Sequence, residues 1–298
     1  MSSKRRLLVF LMFVAMAAAV AVVARLIGRC APRSVPSSGT PSRLSILNGC
    51  RDTVWIESAA NAGVTTMLPT LVEIAPSKNY QYDVSAKGWA GRFWPKTGCD
   101  ANGYNCTTGD SVNPCGSGSD AGPCEPPADT KVEFYFAPDG GVARSYYDIS
   151  LVDGFSLPFW IRPSTHDKTC VDTFCALPLV SCPTDEKYGT TDLGSLAVVS
   201  GGRTVQCLSP CKRWNYPAPV GMGNPETTAP GPALCCPSPV TPEACNAAEG
   251  VRTTKYAKLV HETCRSAYAY SYDDAAGSHD CPSTTRFEVV LCAEIAAR

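Results

Sequence analysis

Tyr146-Tyr147-Asp148-Ile149-Ser150-Leu151-Val152-Asp153-Gly154-Phe155-Ser156-Leu157-Pro158 is the most informative stretch of the chain. Its aromatic and β-branched residues predict a strand over 146–152, and Asp153-Gly154 predicts the turn that ends it. Asp148 and Asp153 are an odd number of positions apart, so an unbroken strand would send them to opposite faces. The turn lets the chain reorient between them. On either side of this stretch, similar short runs separated by Gly, Pro, Asn and Asp predict strands at 44–48, 53–57, 72–75, 80–84, 92–94, 132–136, 159–162 and 286–292. Many short strands at close spacing argue for a β-sandwich or barrel and against βαβ units. Residues 255–261 read as a short helix. No internal repeat is evident.

The chain has 298 residues, of which 44% are hydrophobic, with a formal net charge of -1, which rules out wholesale disorder. Seventeen cysteines point to an oxidising, extracytoplasmic compartment. Residues 1–43 hold seven of the 26 Lys and Arg and none of the 27 Asp and Glu, leaving 19 minus 27, or -8, on the rest. That balance argues against nucleic acid as a partner and against electrostatic attraction to anionic lipid.

Lys4, Arg5 and Arg6 precede residues 7–24, a run of 18 uncharged, largely apolar residues. With small residues at Ala17, Ala19, Ala21 and Ala24, residues 1–24 read as a cleaved signal peptide. The run is also near the lower limit of a membrane span, so the alternative is an uncleaved signal anchor, which would be the chain's one membrane contact. Arg25, Arg29 and Arg33 balance the first basic cluster, so flanking charge does not choose between the two. Arg29 stands where a lipoprotein signal needs a small residue, and Cys30 reads as incidental; palmitoylation or an intermolecular disulfide is the alternative if the anchor stays. Residues 25–43 form a Pro/Ser-rich linker, and the folded unit begins at Leu44.

Without Cys30 sixteen cysteines remain, and counting cannot choose their pairing. A zinc reading of Cys207-x3-Cys211 with Cys235-Cys236 is the weaker alternative to disulfides. Residues 99–127 and 182–245 lack strand pattern and read as stapled lobes with little core of their own. The second includes a Pro- and Gly-rich surface loop, residues 215–233.

The chain resembles the thaumatin-like family over nearly all of residues 44–298. The resemblance rests on Asn48-Gly49-Cys50, Gly91-Arg92-Phe93-Trp94-Pro95-Lys96-Thr97-Gly98-Cys99, Cys106-Thr107-Thr108-Gly109-Asp110, Val132-Glu133-Phe134, residues 147–158, Cys235-Cys236, Ala269-Tyr270-Ser271-Tyr272-Asp273-Asp274 and Cys292. It implies a mainly β protein: a sandwich from residues 44–96, 129–176 and 265–298, a small stapled lobe at 97–128 and a larger disulfide lobe at 177–264. The family's pairing carries over as Cys50–Cys292, Cys99–Cys106, Cys115–Cys124, Cys170–Cys281, Cys175–Cys264, Cys182–Cys207, Cys211–Cys235 and Cys236–Cys245. One departure is Ser111, which stands where the family has a cysteine after Thr-Gly-Asp; another is the long interval between Cys211 and Cys235.

The resemblance also implies an acidic cleft, its residues corresponding to Arg92, Glu133, Asp148, Asp153 and Asp274, with Asp273 adjacent. Clustered carboxylates raise the pKa of at least one member, and Arg92 would hold another ionised. Such a split serves glycosidic cleavage, with Glu133 as proton donor and Asp148 or Asp153 as base or nucleophile. The same groups serve equally to hydrogen-bond sugar hydroxyls. The bland alternative has Asp153 capping its turn, Arg92 as its surface partner, and Glu133 as an outward strand residue. Phe93, Trp94, Tyr146, Tyr147, Phe155 and Trp160 read as core, and none is assigned to binding. His166, His261 and His279 have no metal or triad spacing, Ser200-Gly201-Gly202 lacks a P-loop lysine, and no motif calls for a cofactor or metal. Asn105-Cys106-Thr107 meets the glycosylation pattern beside a cysteine expected to be bridged.

The expected function is that of a secreted or surface-displayed, monomeric defence protein that binds β-1,3-glucan-type polysaccharide. A weak endo-β-1,3-glucanase and an inhibitor that docks a foreign hydrolase through residues 215–233 are the alternatives.

Overall fold

The computed structural model describes residues 42–64, 68–111 and 127–293. Residues 1–41, including the apolar run and Cys30, and the expected Cys115–Cys124 pair lie outside the described residues. In chain order the first strands are β1 (Leu44–Asn48), β2 (Val54–Ala60), β3 (Leu71–Ile74), β4 (Asn79–Tyr82), β5 (Trp89–Thr97), β6 (Lys131–Phe136) and β7 (Arg144–Ser150). There follow β8 (Gly154–Phe155), β9 (Phe159–Pro163), β10 (Thr173–Cys175), β11 (Glu186–Tyr188), β12 (Thr191–Gly194), β13 (Ala197–Ser200) and β14 (Arg203–Leu208). The last are β15 (Ala267–Tyr268), β16 (His279–Pro282) and β17 (Phe287–Leu291).

Two sheets enclose the core. One has the order β10-β9-β17-β1-β4; the other runs β15-β7-β6-β5-β2-β3, with β16 also paired to β7. Inward residues alternate along each strand: Leu44 and Ile46 of β1, Phe287, Val289 and Leu291 of β17, Gly91 and Phe93 of β5, Val132, Phe134 and Phe136 of β6. Aromatic contacts lock the sheets face to face, as where Phe287 meets Phe134 at 5.3 Å and Tyr82 meets Phe93 at 4.9 Å between ring centroids. β1 and β17 lie side by side in parallel, and the Cys50–Cys292 bridge joins the two ends of the folded unit.

The nine strands and one helix expected from sequence are present, with ends shifted by at most three residues. The strands not expected are two to six residues long, so they carry little period to read. The larger lobe is better built than its composition suggests. It has the strand pair β11-β12, the sheet β13-β14-β8, and helices α1 (Pro210–Asn215), α2 (Gly231–Cys235), α3 (Pro242–Cys245) and α4 (Lys255–Thr263); a short α5 (Asp274–Gly277) follows β15. Ser209 and Thr254 cap α1 and α4 by accepting the backbone N–H of Lys212 and Ala257. Contrary to the expectation of a lobe with little core, Leu193, Cys211, Trp214, Leu234 and Cys235 form a cluster of their own.

Residues 215–233 are likewise tied down rather than a free loop. Trp214 Nε1 donates to the Pro225 carbonyl (3.1 Å), and Met222 N and Asn224 N donate to the Arg213 and Trp214 carbonyls. Gly201 and Gly202, at φ of 56° and 74°, make the two-residue turn between β13 and β14, which is what the Ser200-Gly201-Gly202 motif is for.

Seven disulfides close among the described residues, in the pairing carried over from the resemblance. The zinc reading is therefore set aside: Cys207 pairs with Cys182, Cys211 with Cys235 and Cys236 with Cys245. Glu226 lies near Cys211 and Cys235, whose sulfurs are consumed in their bridge. Among the described residues no helix is long and apolar enough to cross a membrane.

Candidate functional site

Strand register assembles the site. Arg92 on β5 is opposite Glu133 on β6, and Glu133 is opposite Asp148 on β7. Their chain neighbours Phe93, Val132, Phe134, Tyr147 and Ile149 fill the core, so alternation turns all three outward on the seven-stranded sheet. Ala59 of β2 is the next residue in this row, opposite Arg92, and leaves the guanidinium uncrowded on that side. Arg92 Nη1 stands 3.9 Å from Glu133 Oε1, with 37% of each side chain exposed.

Two polar atoms of this row are buried without a hydrogen-bond partner: Arg92 Nε and Asp148 Oδ1. Asp274, at the start of α5, is exposed and accepts a hydrogen bond from the Tyr268 hydroxyl at 2.8 Å. β15 runs beside the end of β7, which brings the Asp274 charge to bear on Asp148. Burial, then Glu133, then Asp274 push the Asp148 carboxyl well above the ordinary carboxylate range. Burial raises Glu133 too, while the charges of Arg92 and Lys131 pull it back only in part.

Asp153 takes a different part. The turn ends in a Gly154 N–H to Leu151 carbonyl bond of 3.2 Å, with Gly154 at φ 143°. A side chain there would meet the Ala128 carbonyl at 3.0 Å, so glycine is needed for the close approach as well as the dihedral. The turn directs the Asp153 carboxylate to Lys131, and Lys212 of α1 reaches its other oxygen at 3.4 Å. Burial opposes ionisation of Asp153, but the charges and hydrogen bonds of the two lysines outweigh it and hold the carboxyl below its ordinary range. The partners of Asp153 are thus Lys131 and Lys212, and Arg92 faces Glu133 instead. Sequence reasoning missed both lysines.

Asp273 faces away from the row. It is buried and accepts from Ala269 N–H at 3.1 Å, and its Oδ2 lies 2.7 Å from His261 Nε2. With His261, Arg252, Lys258, Tyr270 and Tyr272 it lines a cavity of about 840 Å³, in which Asp274 also takes part. Among the described residues neither His261 nor His166, which pairs with Asp172 at 2.8 Å, contacts a serine or cysteine nucleophile.

The aromatics divide. Phe93, Trp94, Tyr147 and Phe155 are buried as expected and Trp160 is partly so, but Tyr146 is 50% exposed and is not core. Farther along β5, Lys96 Nζ lies 3.2 Å from both Glu57 and Asp110, under the loop that carries Thr108 and Gly109. Ser111 explains its own departure from the family pattern: its hydroxyl donates to the buried Glu57 carboxylate at 3.2 Å.

The family model described as the thaumatin family matches residues 48–293. Thaumatin-like protein 2 of Prunus persica is 34% identical, over 84% of this chain and 89% of its own length. A glucan endo-1,3-beta-glucosidase of Prunus avium is 32% identical over 84% of this chain and 89% of its own. Pathogenesis-related protein 5 of Arabidopsis thaliana is 32% identical over 83% and 89%. Among solved structures, the thaumatin-like xylanase inhibitor TLXI covers 85% of this chain and 100% of its own, with 16% identity and a TM-score of 0.35.

Proposed function

Because the chain belongs to the thaumatin family, we propose that it is an extracellular defence protein that binds β-1,3-glucan-type wall polysaccharide on the outer face of its seven-stranded sheet. The observation that carries this reading is the pair of unpartnered polar atoms in the Arg92-Glu133-Asp148 row. Buried polar atoms are nearly always hydrogen-bonded, so a donor and an acceptor left open on the two sides of Glu133 point to a ligand that spans the row. A neutral, hydroxyl-rich chain fits. Its hydroxyls accept from Arg92 and donate to Glu133, while Asp148, kept protonated, both donates and accepts.

The clamp on Asp153 makes it a structural carboxylate in this scheme rather than the base or nucleophile. Its fixed negative charge, paired with Lys131 and Lys212, anchors the turn below the row.

A glucanase is the second reading. Directly opposed residues on one sheet face have Cβ atoms about 5 Å apart, so the Glu133 and Asp148 side chains project side by side, as the carboxyl pair of a retaining enzyme must. In that scheme Asp148, the carboxyl raised furthest, is the acid, and Glu133 is the nucleophile, the reverse of the assignment expected from sequence. The relative named a glucan endo-1,3-beta-glucosidase is in keeping with it.

Retention of the oxidised protein on insoluble β-1,3-glucan, with reducing ends counted over a day, separates these readings. Retention without sugar release supports binding alone. Release that Glu133→Gln abolishes while retention survives supports the enzyme. Absence of both moves the search to a protein partner of residues 215–233, where Val220 and Met222 are exposed.

A further inference from the structure

Tyr135 and Tyr146 are directly opposed on β6 and β7, on the same outward face as Glu133 and Asp148 and two residues farther along. They are 46% and 50% exposed, although their strand neighbours Phe134, Phe136 and Tyr147 are buried. Their ring centroids are 6.2 Å apart with the planes inclined at 53°, so the two rings form a shallow open angle rather than a closed stack. On one side the row continues into Ala90, opposite Tyr135, and a cavity of about 230 Å³ lined by Lys87, Gly88, Ala90 and Tyr135 opens there. On the other side Asp280 is opposite Tyr146 and is ion-paired with Arg144.

A pair of exposed aromatic rings on an otherwise polar sheet face calls for an apolar partner surface of similar width, and polar groups on both sides call for hydroxyls at its rim. We infer that Tyr135 and Tyr146 form a stacking platform for one pyranose ring of the glycan, next to the unit that lies over Glu133 and Asp148. This inference rests on the binding proposed for the acidic row and extends it by one subsite. The rows are about 7 Å apart along the strands, so both are occupied only by a chain of at least two sugar units. Polysaccharide is therefore preferred over free sugar.

The test uses β-1,3-linked glucose, β-1,4-linked glucose and β-1,4-linked xylose pentasaccharides. Each is titrated into the oxidised protein while the ring NMR signals of Tyr135 and Tyr146 are followed. We expect both rings to shift with the β-1,3-linked pentasaccharide. We further expect Tyr135→Ala/Tyr146→Ala to bind it about ten-fold more weakly, equivalent to ~1.4 kcal/mol, and Tyr146→Phe to bind as wild type does. Both side chains are exposed, and an unchanged melting curve for the double variant verifies the fold. Wild-type binding without movement of the rings, and with full affinity in the double variant, overturns the platform and leaves the acidic row standing. Ring shifts with affinity unchanged by Arg92→Ala uphold the platform and overturn the row. Absence of binding to all three pentasaccharides overturns both.

Discussion

Lys131 and Asp153 meet inside the protein: the lysine side chain is 2% exposed, and its Nζ donates to the Asp153 carboxylate and to the Pro127 carbonyl at 2.7 Å. This contact ties β6, which carries Glu133, to the turn that follows β7, the strand of Asp148. Removing one member of a buried pair leaves the other charge uncompensated, at a cost of about 3–5 kcal/mol. We expect Lys131→Met to destabilise by roughly 3 kcal/mol, moderated by Lys212. Lys131→Met/Asp153→Asn should recover part of that loss in chemical denaturation. A single variant as stable as wild type would mean that the pair does not hold the turn.

Asp129 makes the stability of the fold depend on pH. It is fully buried, Ser156 Oγ and Thr130 N donate to its Oδ1, and its Oδ2 has no partner. Burial pushes its carboxyl up to about 7, against the pull of those hydrogen bonds and of Lys131. A group raised on folding contributes its full stability below its unfolded pKa of about 3.9 and loses it as pH rises to about 7. Asp129→Asn keeps an acceptor for Ser156 and Thr130 without the charge. It should stabilise the protein by up to roughly 4 kcal/mol at pH 8 and by much less at pH 4; equal effects at the two pH values would contradict the assignment.

Asp148 should set the pH dependence of glycan retention. Its neutral form is the one that donates to a sugar hydroxyl, and its pKa is raised by burial, Glu133 and Asp274. Retention is therefore expected to be strong in acid and to fall as pH climbs through that raised value. Asp148→Asn, which cannot ionise, should flatten the profile. If the variant loses retention at every pH, Asp148 acts through its charge instead.

The Cys50–Cys292 bridge closes a loop with a sequence separation of 242 and ties parallel β1 and β17 at the centre of the five-stranded sheet. Loop-closure entropy is largest for such long loops. Replacing both cysteines with alanine should cost about 3–5 kcal/mol, read from thermal melts of otherwise oxidised protein. The Cys99–Cys106 bridge, with a separation of 7, should cost less when removed.

How far the sequence could be read follows from what each residue answers to. Arg92, Glu133 and Asp148 were legible only through the family motifs in which they stand; that all three face outward in one row comes from the strand register of the folded sheet. The Asp153-Gly154 turn was legible from its residue types. Lys131 was not: at the end of a strand it reads as a solvated charge, and only the folded chain brings the Pro127 and Asp129 carbonyls and the Asp153 carboxylate around its Nζ. Tyr135 and Tyr146 fit an apolar run equally well whether they point in or out. Their exposure depends on which part of the sheet a lobe covers, and residues 177–264 gave little period from which to place that lobe. The cores of short segments such as α1 and α2 depend on disulfides rather than on pattern.

The most direct measurement is the retention of oxidised protein on insoluble β-1,3-glucan at pH 5, compared with Arg92→Ala and Glu133→Gln variants of equal thermal stability. We expect wild type to be retained and the Arg92→Ala variant to be retained about ten-fold less, since a charge-assisted hydrogen bond contributes about 1.5–3 kcal/mol, with a smaller loss for Glu133→Gln. Wild type that washes through, or an Arg92→Ala variant retained as well as wild type, would contradict a glycan site on this row.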